Sequence, residues 1–170
     1  LLAGDEATEY LYQLGHRKIA YLGVDNSLVF SADRRNGYQL ALTRHGIVPK
    51  PEYCVELPSI TAGEDTPVHA LLRSASRPTA IVVSDDILAL TLERICTETG
   101  LSIPADLSIL SFNNSLFARL TSPQLTSIDI NSCQLGIEAA AQMISHIENP
   151  ELPATKILVP HQLIERDSCA

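Results

Sequence analysis

The sequence predicts a doubly wound α/β domain, in which a mostly parallel β-sheet carries helices on both faces. Short aliphatic runs alternate along the chain with longer amphipathic segments, an order that indicates βαβ units. Most of the connections are too long for hairpins and require crossovers, which are right-handed in parallel sheets. Hydrophobic residues make up 45% of the 170 residues and aromatic residues only 5%, a composition that suits aliphatic strands buried under helices.

Seven short apolar runs are predicted as strands. The clearest is Thr79 to Val83, where β-branched residues dominate an unbroken apolar stretch, and Gly23 closes the first run. The predicted strands cover residues 18–23, 53–57, 79–83, 107–112, 125–130, 156–159 and 162–166.

Five segments are predicted as helices because they combine apolar periodicity with capping residues or terminal glycines. Asp5 and Ser31 are candidate N-caps, and Gly100 is a candidate C-terminal stop. The segments 61–64 and 131–134 resemble capping boxes. The predicted helices cover residues 4–15, 31–45, 61–74, 84–100 and 135–147.

The charge of the chain argues against a free-standing nucleic-acid-binding domain. Twenty acidic residues outnumber 12 basic ones, so the formal charge is −8 and the isoelectric point is about 5.0. Nucleic-acid-binding domains normally concentrate Lys and Arg on one face, and no window of this sequence does so. We therefore expect this chain alone to bind DNA poorly.

The four cysteines indicate a reducing compartment. They are widely spaced, and neither a CxxC pair nor a histidine at metal-ligand spacing accompanies them, so free thiols are expected rather than disulfides or a zinc site. No apolar run reaches the roughly 20 residues of a membrane span, and no signal peptide is recognisable. Cytoplasm is the predicted location, with no membrane as a partner.

Polar side chains follow three of the predicted strands, at residues 23–34, 84–86 and 112–115. In doubly wound sheets, ligands bind just beyond the carboxyl ends of the strands. These three segments are therefore predicted to meet at a binding site.

Each polar group in these segments also has a purely structural interpretation. Asp85 and Asp86 fit an acid/base pair, half of a magnesium site or a helix cap. The cap is favoured because the neighbouring strand end supplies the amides of Asn113 and Asn114 in place of a further carboxylate, and only Asp25 argues for the metal. Asn113 suits either a hydroxyl-bearing ligand or a turn. Arg34, in the first turn of a helix, fits either a ligand contact or a surface ion pair with Asp33.

No catalytic arrangement is recognisable in the sequence. The five histidines have no nucleophile elbow or cysteine partner in sequence, and neither a dinucleotide-binding nor a phosphate-binding glycine motif occurs. The sequence therefore predicts a binding protein without enzymatic activity, cofactor or metal.

Five ordered motifs resemble the lactose-repressor (LacI/GalR) family of bacterial transcriptional regulators. Residues 12–23 resemble its L-G-H-R-x-I-A-x-L stretch, and residues 34–42 its R-x-x-G-[FYW]-x-x-A-L helix. Residues 78–86 resemble P-T-A-[IV]-x-x-x-[ND]-D, residues 100–109 resemble G-x-x-[IV]-P-x-D-[IL]-S-[IV], and residues 122–128 resemble P-x-L-T-[ST]-[IV].

The resemblance implies a periplasmic-binding-protein-like (type I) sensor that has two lobes and works as a homodimer. It assigns residues 1–15 to a returning helix of the N-terminal lobe and 16–128 to the C-terminal lobe. Residues 129–150 would form a second helix of the N-terminal lobe, and 151–170 the terminal strands of the C-terminal lobe. The helix-turn-helix that would contact operator DNA is absent from this chain.

The resemblance also implies ligand contacts. Arg34 matches the family's ligand-binding arginine, Phe30 one turn earlier would stack on a sugar, and Ser84 and Asp85 match a polar pair after the central strand. Asn113 stands where the family more often has Asp. Since residues 112–114 resemble those of maltose-operon regulators, an α-glucoside is the expected effector.

A dimer surface is implied by five further positions, Ala89, Leu92, Glu93, Leu116 and Leu120, although a stripe facing the core is the alternative for some of them. The predicted function is the sugar-sensing, dimerising domain of a transcriptional repressor. The alternatives are a periplasmic sugar carrier of the same fold, which the cysteines and the dimer surface disfavour, and a sugar-processing enzyme.

Overall fold

The computed structural model describes residues 1–24, 29–58 and 65–170. In these ranges one sheet has the strand order β2-β1-β3-β4-β5-β6, with β1 to β5 parallel and β6 antiparallel to β5. The doubly wound, mostly parallel sheet is thus confirmed. The strands are β1 Ile19–Val24, β2 Cys54–Leu57, β3 Ala80–Val83, β4 Ser108–Phe112, β5 Thr126–Asp129 and β6 Gln162–Ile164.

Six α-helices and a short 3-10 helix, Pro51–Tyr53, are present in the same part of the chain. The α-helices are α1 Leu2–Gln13, α2 Val29–Arg44, α3 Thr66–Arg73, α4 Asp86–Thr99, α5 Leu116–Leu120 and α6 Ser132–Glu148. The best-defined ends belong to α4: Asp85 caps its N-terminus, and Gly100 ends it in the left-handed conformation with φ of 73°.

The sheet buries a separate apolar core on each face because successive strand side chains point to opposite sides. Ala20 and Leu22 of β1 contribute to the core beneath α3 and α4, whereas Ile19 and Tyr21 contribute to the core beneath α1 and α2. Two layers of helices therefore hold the strand ends in fixed positions, which is the requirement for a site built there.

Helix α1 belongs to the same lobe as the sheet. Its Ala7 and Leu11 are fully buried against sheet residues such as Val82, and the helix packs along α2. This packing corrects the assignment of residues 1–15 to the other lobe. The amphipathic pattern of the segment was interpreted correctly, but periodicity does not reveal which sheet a helix covers.

Several local predictions differ from the structure. The interval 156–159 forms no strand, Asp5 and Ser31 lie inside helices rather than at N-caps, and Asn131 precedes α6 without a capping hydrogen bond from its side chain. Ser31 instead donates through Oγ to the carbonyl of Val24, at 2.7 Å. The capping box predicted at 61–64 lies outside the described residues, and so does Asp25.

Helix α6 packs differently from the other long helices. None of its residues is buried, and the segment 151–159 that follows is almost entirely exposed as well. The two are joined by a 2.8 Å hydrogen bond from Thr155 to Gln142. Among the described residues, no helix combines the length and apolar character needed to span a membrane.

Candidate functional site

A cavity of about 370 Å³ opens at the carboxyl ends of the parallel strands. It lies where β1, β3 and β4 lead into α2, α4 and α5, as expected for a doubly wound sheet. Three of the five predicted ligand residues line it, namely Phe30, Asp85 and Asn113, whereas Arg34 and Ser84 lie behind its wall. The remaining lining residues are Val24, Asp86, Ile87, Ser115 and Phe117.

Arg34 connects two of the strand ends beneath the cavity. Its Nη1 donates to the carbonyl oxygen of Ser84, and its Nη2 donates to Oδ1 of Asn113 at 3.0 Å. The guanidinium carbon lies 4.5 Å from the ring centre of Phe112 and 5.2 Å from that of Phe30. Burial lowers the pKa of Arg34. The alternative of a surface ion pair with Asp33 is wrong, because the side chain is buried and directed into the site.

Asn113 is both a turn residue and a partner of Arg34. Its φ of 96° lies in the left-handed region, as does the φ of 45° at Asn114, and asparagine tolerates this backbone better than most residues do. The turn is fixed because the N–H of Asn113 donates to the carbonyl of Ile128 at 2.8 Å. The same turn brings the Asn113 amide to Arg34, so the two interpretations of this residue are compatible.

Asp85 and Asp86 have different roles, although they are neighbours: Asp85 precedes α4 and Asp86 is its first residue. Asp85 Oδ1 accepts from the Leu88 N–H at 2.8 Å, which confirms the helix-cap interpretation. Asp86 is 1% exposed and accepts from Ser111 Oγ, Ser127 Oγ and the Ser115 N–H at 2.6, 2.9 and 2.6 Å. Asp86 therefore joins α4 to β4, β5 and the start of α5.

Ser84 positions other groups and does not face the cavity. Its side chain is fully buried, its carbonyl oxygen accepts from Arg34, and its Oγ donates to Asp85 Oδ2 at 3.3 Å. Nowhere in the described ranges do three His, Cys, Asp or Glu side chains form a group able to hold a metal ion.

Two apolar side chains of the cavity were missed by sequence reasoning. Ile87 is 48% exposed and Phe117 is 44% exposed, and both side chains line the cavity. Phe117 is on α5, a helix of five residues without a capping hydrogen bond from the Ser115 side chain. Such a short element gives little periodic signal, so α5 was not predicted.

The predicted dimer surface needs correction at two positions. Ala89 and Leu92 are fully buried in the core beneath α4, so they are unavailable to a partner, as the alternative of a core-facing stripe predicted. Glu93 is partly buried, while Leu116 and Leu120 are 60% and 69% exposed. The exposed apolar surface here consists of Ile87, Leu116, Phe117 and Leu120, which we call the α5 patch.

A mostly parallel sheet with helices on both faces and a cavity at its strand ends is the architecture of periplasmic-binding-protein-like domains. Residues 8–169 match the family described as "Periplasmic binding protein-like domain". The chain belongs to this family and, as its relatives show, to the LacI/GalR group of regulators within it. The resemblance seen in the sequence motifs is thereby confirmed.

The relatives are transcriptional regulators. The ribose operon repressor of Haemophilus influenzae is 33% identical over 94% of this chain and 48% of its own length. A solved LacI transcriptional regulator from Bacillus cereus subsp. cytotoxis has a TM-score of 0.93 and 36% identity, covering 99% of this chain and 60% of that one. A LacI-family sugar-binding regulator from Escherichia coli, solved with phosphate, has a TM-score of 0.85 and 26% identity over 98% of this chain and 59% of its own. The chain thus spans about half the length of the curated relatives it matches.

Proposed function

We propose that this chain is the effector-sensing domain of a LacI-family transcriptional repressor and that its effector is a sugar. The observation that carries the proposal is the cavity at the strand ends, where the Arg34–Asn113 hydrogen bond joins α2 to the turn after β4 beneath two exposed phenyl rings. Aromatic rings pack well on the apolar face of a sugar, while amides and carboxylates bind its hydroxyls. The relatives, which include a ribose operon repressor and a sugar-binding transcriptional regulator, support this choice.

The exposed helix α6 supports a two-lobed arrangement. Ile137, Met143, Ile144 and Ile147 are more than half exposed on this helix, an unusual state for large apolar side chains. We propose that residues 129–150 belong to the N-terminal lobe, as the sequence resemblance implied, and that the effector lies between the lobes. Residues 151–170 would return the chain to this lobe, where β6 pairs with β5.

The α5 patch supports a homodimer. Leu116 and Leu120 are exposed apolar side chains of α5 outside the cavity lining, while Ile87 and Phe117 also line the cavity. Exposed apolar side chains of this kind mark association sites in soluble proteins. A second copy of the chain is its proposed partner. Operator DNA would be contacted by a helix-turn-helix outside these residues, in the cytoplasm.

The identity of the sugar stays a prediction, with an α-glucoside as the effector that the sequence resemblance implied. The periplasmic-carrier alternative is not favoured, because the relatives are regulators. We propose no enzymatic activity, and turnover of any sugar by the full-length protein would contradict this part of the proposal.

A thermal-shift screen of the full-length protein tests the proposal. A ligand that binds only the native state stabilises it by RT ln(1 + [L]/Kd), about 2.7 kcal/mol at a hundredfold Kd. We expect one sugar of the panel to raise the melting temperature and Arg34→Ala to abolish that rise. Arg73→Ala, at an exposed position on α3, is the control and should retain it. An unchanged response in Arg34→Ala would contradict the assignment of the site.

A further inference from the structure

We propose that this half of the site selects a hydroxyl-bearing group without negative charge and discriminates against the phosphorylated and carboxylated forms of the same sugar. The inference rests on the proposed sugar-sensing function and names the class of effector within it. Three features of the cavity carry it: a described lining without basic side chains, helix N-termini already occupied by carboxylates, and arginines bonded to neutral acceptors.

The described lining of the cavity is mainly apolar, and none of its residues is a Lys, Arg or His. Its two acidic residues differ, because Asp86 is 1% exposed and its carboxylate accepts from Ser111, Ser127 and the Ser115 N–H, whereas Asp85 is partly exposed. A phosphate or carboxylate placed in the cavity would therefore meet the carboxylate of Asp85 and no cation in this part of the lining. At distances of several ångströms and away from bulk water, such repulsion costs far more than it does on an open surface.

The two helix N-termini at the cavity are already occupied by carboxylates. Helix N-termini are ordinarily attractive to anions because their first N–H groups lack partners. In α4 the Leu88 N–H donates to Asp85, and Asp86 lies in the first turn. At the start of α5 the Ser115 N–H donates to Asp86 at 2.6 Å. An anionic ligand would thus have to compete with acceptors of the protein itself.

The nearby arginines are bonded to neutral acceptors. Arg34 is 9% exposed, and its terminal nitrogens donate to the Ser84 carbonyl and the Asn113 amide. Arg166 likewise donates to the carbonyl of Leu125 and to Oδ1 of Asn114. Neither arginine belongs to the cavity lining. Burial lowers the pKa of Arg34, and the nearby carboxylates of Asp85 and Asp86 act in the opposite direction.

A sugar with free hydroxyls fits the groups that the cavity does offer, namely a carboxylate acceptor and exposed aromatic rings. The Asp85 carboxylate can only accept hydrogen bonds, so its unused lone pairs require donors such as hydroxyl groups. Phe30 and Phe117, 47% and 44% exposed, offer ring surfaces to the C–H face of a pyranose. Asp85 is thus the residue that we assign to selection by charge.

Isothermal titration of the full-length protein with matched ligands tests the inference. The panel pairs glucose, galactose and maltose with their 6-phosphates, and glucose and galactose with the corresponding uronic acids. We expect the neutral member of the bound pair to bind at least about tenfold more tightly than its anionic partner, equivalent to about 1.4 kcal/mol. Equal or tighter binding of the anionic member would overturn the inference and leave the proposed sugar sensing intact.

Two variants separate charge from structure. Asp85→Asn removes the negative charge but preserves helix capping, since Asn and Asp cap about equally well, and it should reduce the neutral-to-anionic affinity ratio several-fold. Glu52→Gln removes a charge at the amino end of β2, whereas the cavity lies at the carboxyl ends of the parallel strands, and it should leave the ratio unchanged. An unchanged ratio in Asp85→Asn would overturn the role of Asp85. A panel from which no member binds would contradict the proposed function itself.

Discussion

Gly4 of α1 lies directly against the backbone of Arg34 in α2, so close that a Cβ atom on Gly4 would overlap the Arg34 carbonyl oxygen. Gly37, one turn further along α2, has the same relationship to the carbonyl oxygen of Leu1. The two helices therefore pack backbone to backbone. Because Arg34 is the side chain that joins the strand ends, the position of the site depends on this contact.

Gly4→Ala should destabilise the chain by about 1–3 kcal/mol, because the added methyl group must push α1 away from α2 or distort both. Urea unfolding monitored by circular dichroism measures the change in the free energy of unfolding. Gly136→Ala is the matched control: nothing lies within 4 Å of its Cβ position on α6. There the same substitution should stabilise by up to about 1 kcal/mol through helix propensity. Equal effects at both positions would contradict this account of the contact.

Asp86→Asn should destabilise the domain by about 1.5–3 kcal/mol, the range for hydrogen bonds to a charged group. The buried carboxylate accepts from Ser111, Ser127 and the Ser115 N–H, and an amide offers only one oxygen for these three donors. Chemical denaturation provides the measurement. Asp85→Asn is the control, with an expected loss of a few tenths of a kcal/mol because capping is preserved. A loss of similar size in both variants would show that Asp86 has no special role.

The sequence was sufficient to predict most of the fold because its signals are local. Aliphatic runs such as Ala80–Val83 and the Asp85–Gly100 helix boundaries follow from hydrophobicity and capping, and the structure confirms them. The tertiary environment decided the rest. Residues 156–159 have the composition of a strand, yet they follow the exposed helix α6, are largely exposed themselves and form no strand.

The candidate site was predicted in part for the same reason. The strand-end rule selected Arg34, Asp85 and Asn113, because it depends on sequence order and on parallel topology alone. It did not distinguish lining residues from residues behind the wall, so Ser84 was expected in contact with ligand although it is fully buried. Phe117 was missed because its helix is too short to show a periodic pattern.

Glu93 should make the stability of this domain fall as the pH rises from about 4.5 to about 7. Burial raises the pKa of this carboxyl to about 7 from 4.5, and its Oε1 has no hydrogen-bond partner. In that interval the unfolded state loses the proton while the folded state retains it, so ionisation favours unfolding. Glu93→Gln stays neutral, so its free energy of unfolding should increase relative to that of the wild type as the pH rises across this interval. The expected difference is on the order of 1 kcal/mol, because Glu93 retains solvent contact and the solvent screens its charge.

Urea midpoints measured between pH 4 and pH 8 would show this difference. Glu98→Gln controls for the loss of a glutamate from α4, because Glu98 lies near the end of the same helix and its side chain is 48% exposed. A constant offset between Glu93→Gln and the wild type at every pH would contradict the raised pKa of Glu93.

Leu120→Glu should dissociate the proposed homodimer by placing a charge in the α5 patch. Leu120 is 69% exposed in the isolated chain, so the substitution should leave the fold intact, whereas burying an unpaired carboxylate against a partner is strongly unfavourable. We expect the dimer dissociation constant of the full-length protein to rise by at least about 100-fold, or about 2.7 kcal/mol. Sedimentation velocity over a concentration series measures it. Val48→Glu places the same charge on an 81% exposed apolar side chain after α2 and should remain dimeric. If both variants remain dimers with unchanged affinity, the α5 patch is not the dimer interface, and the exposed face of α6 becomes the surface to test next.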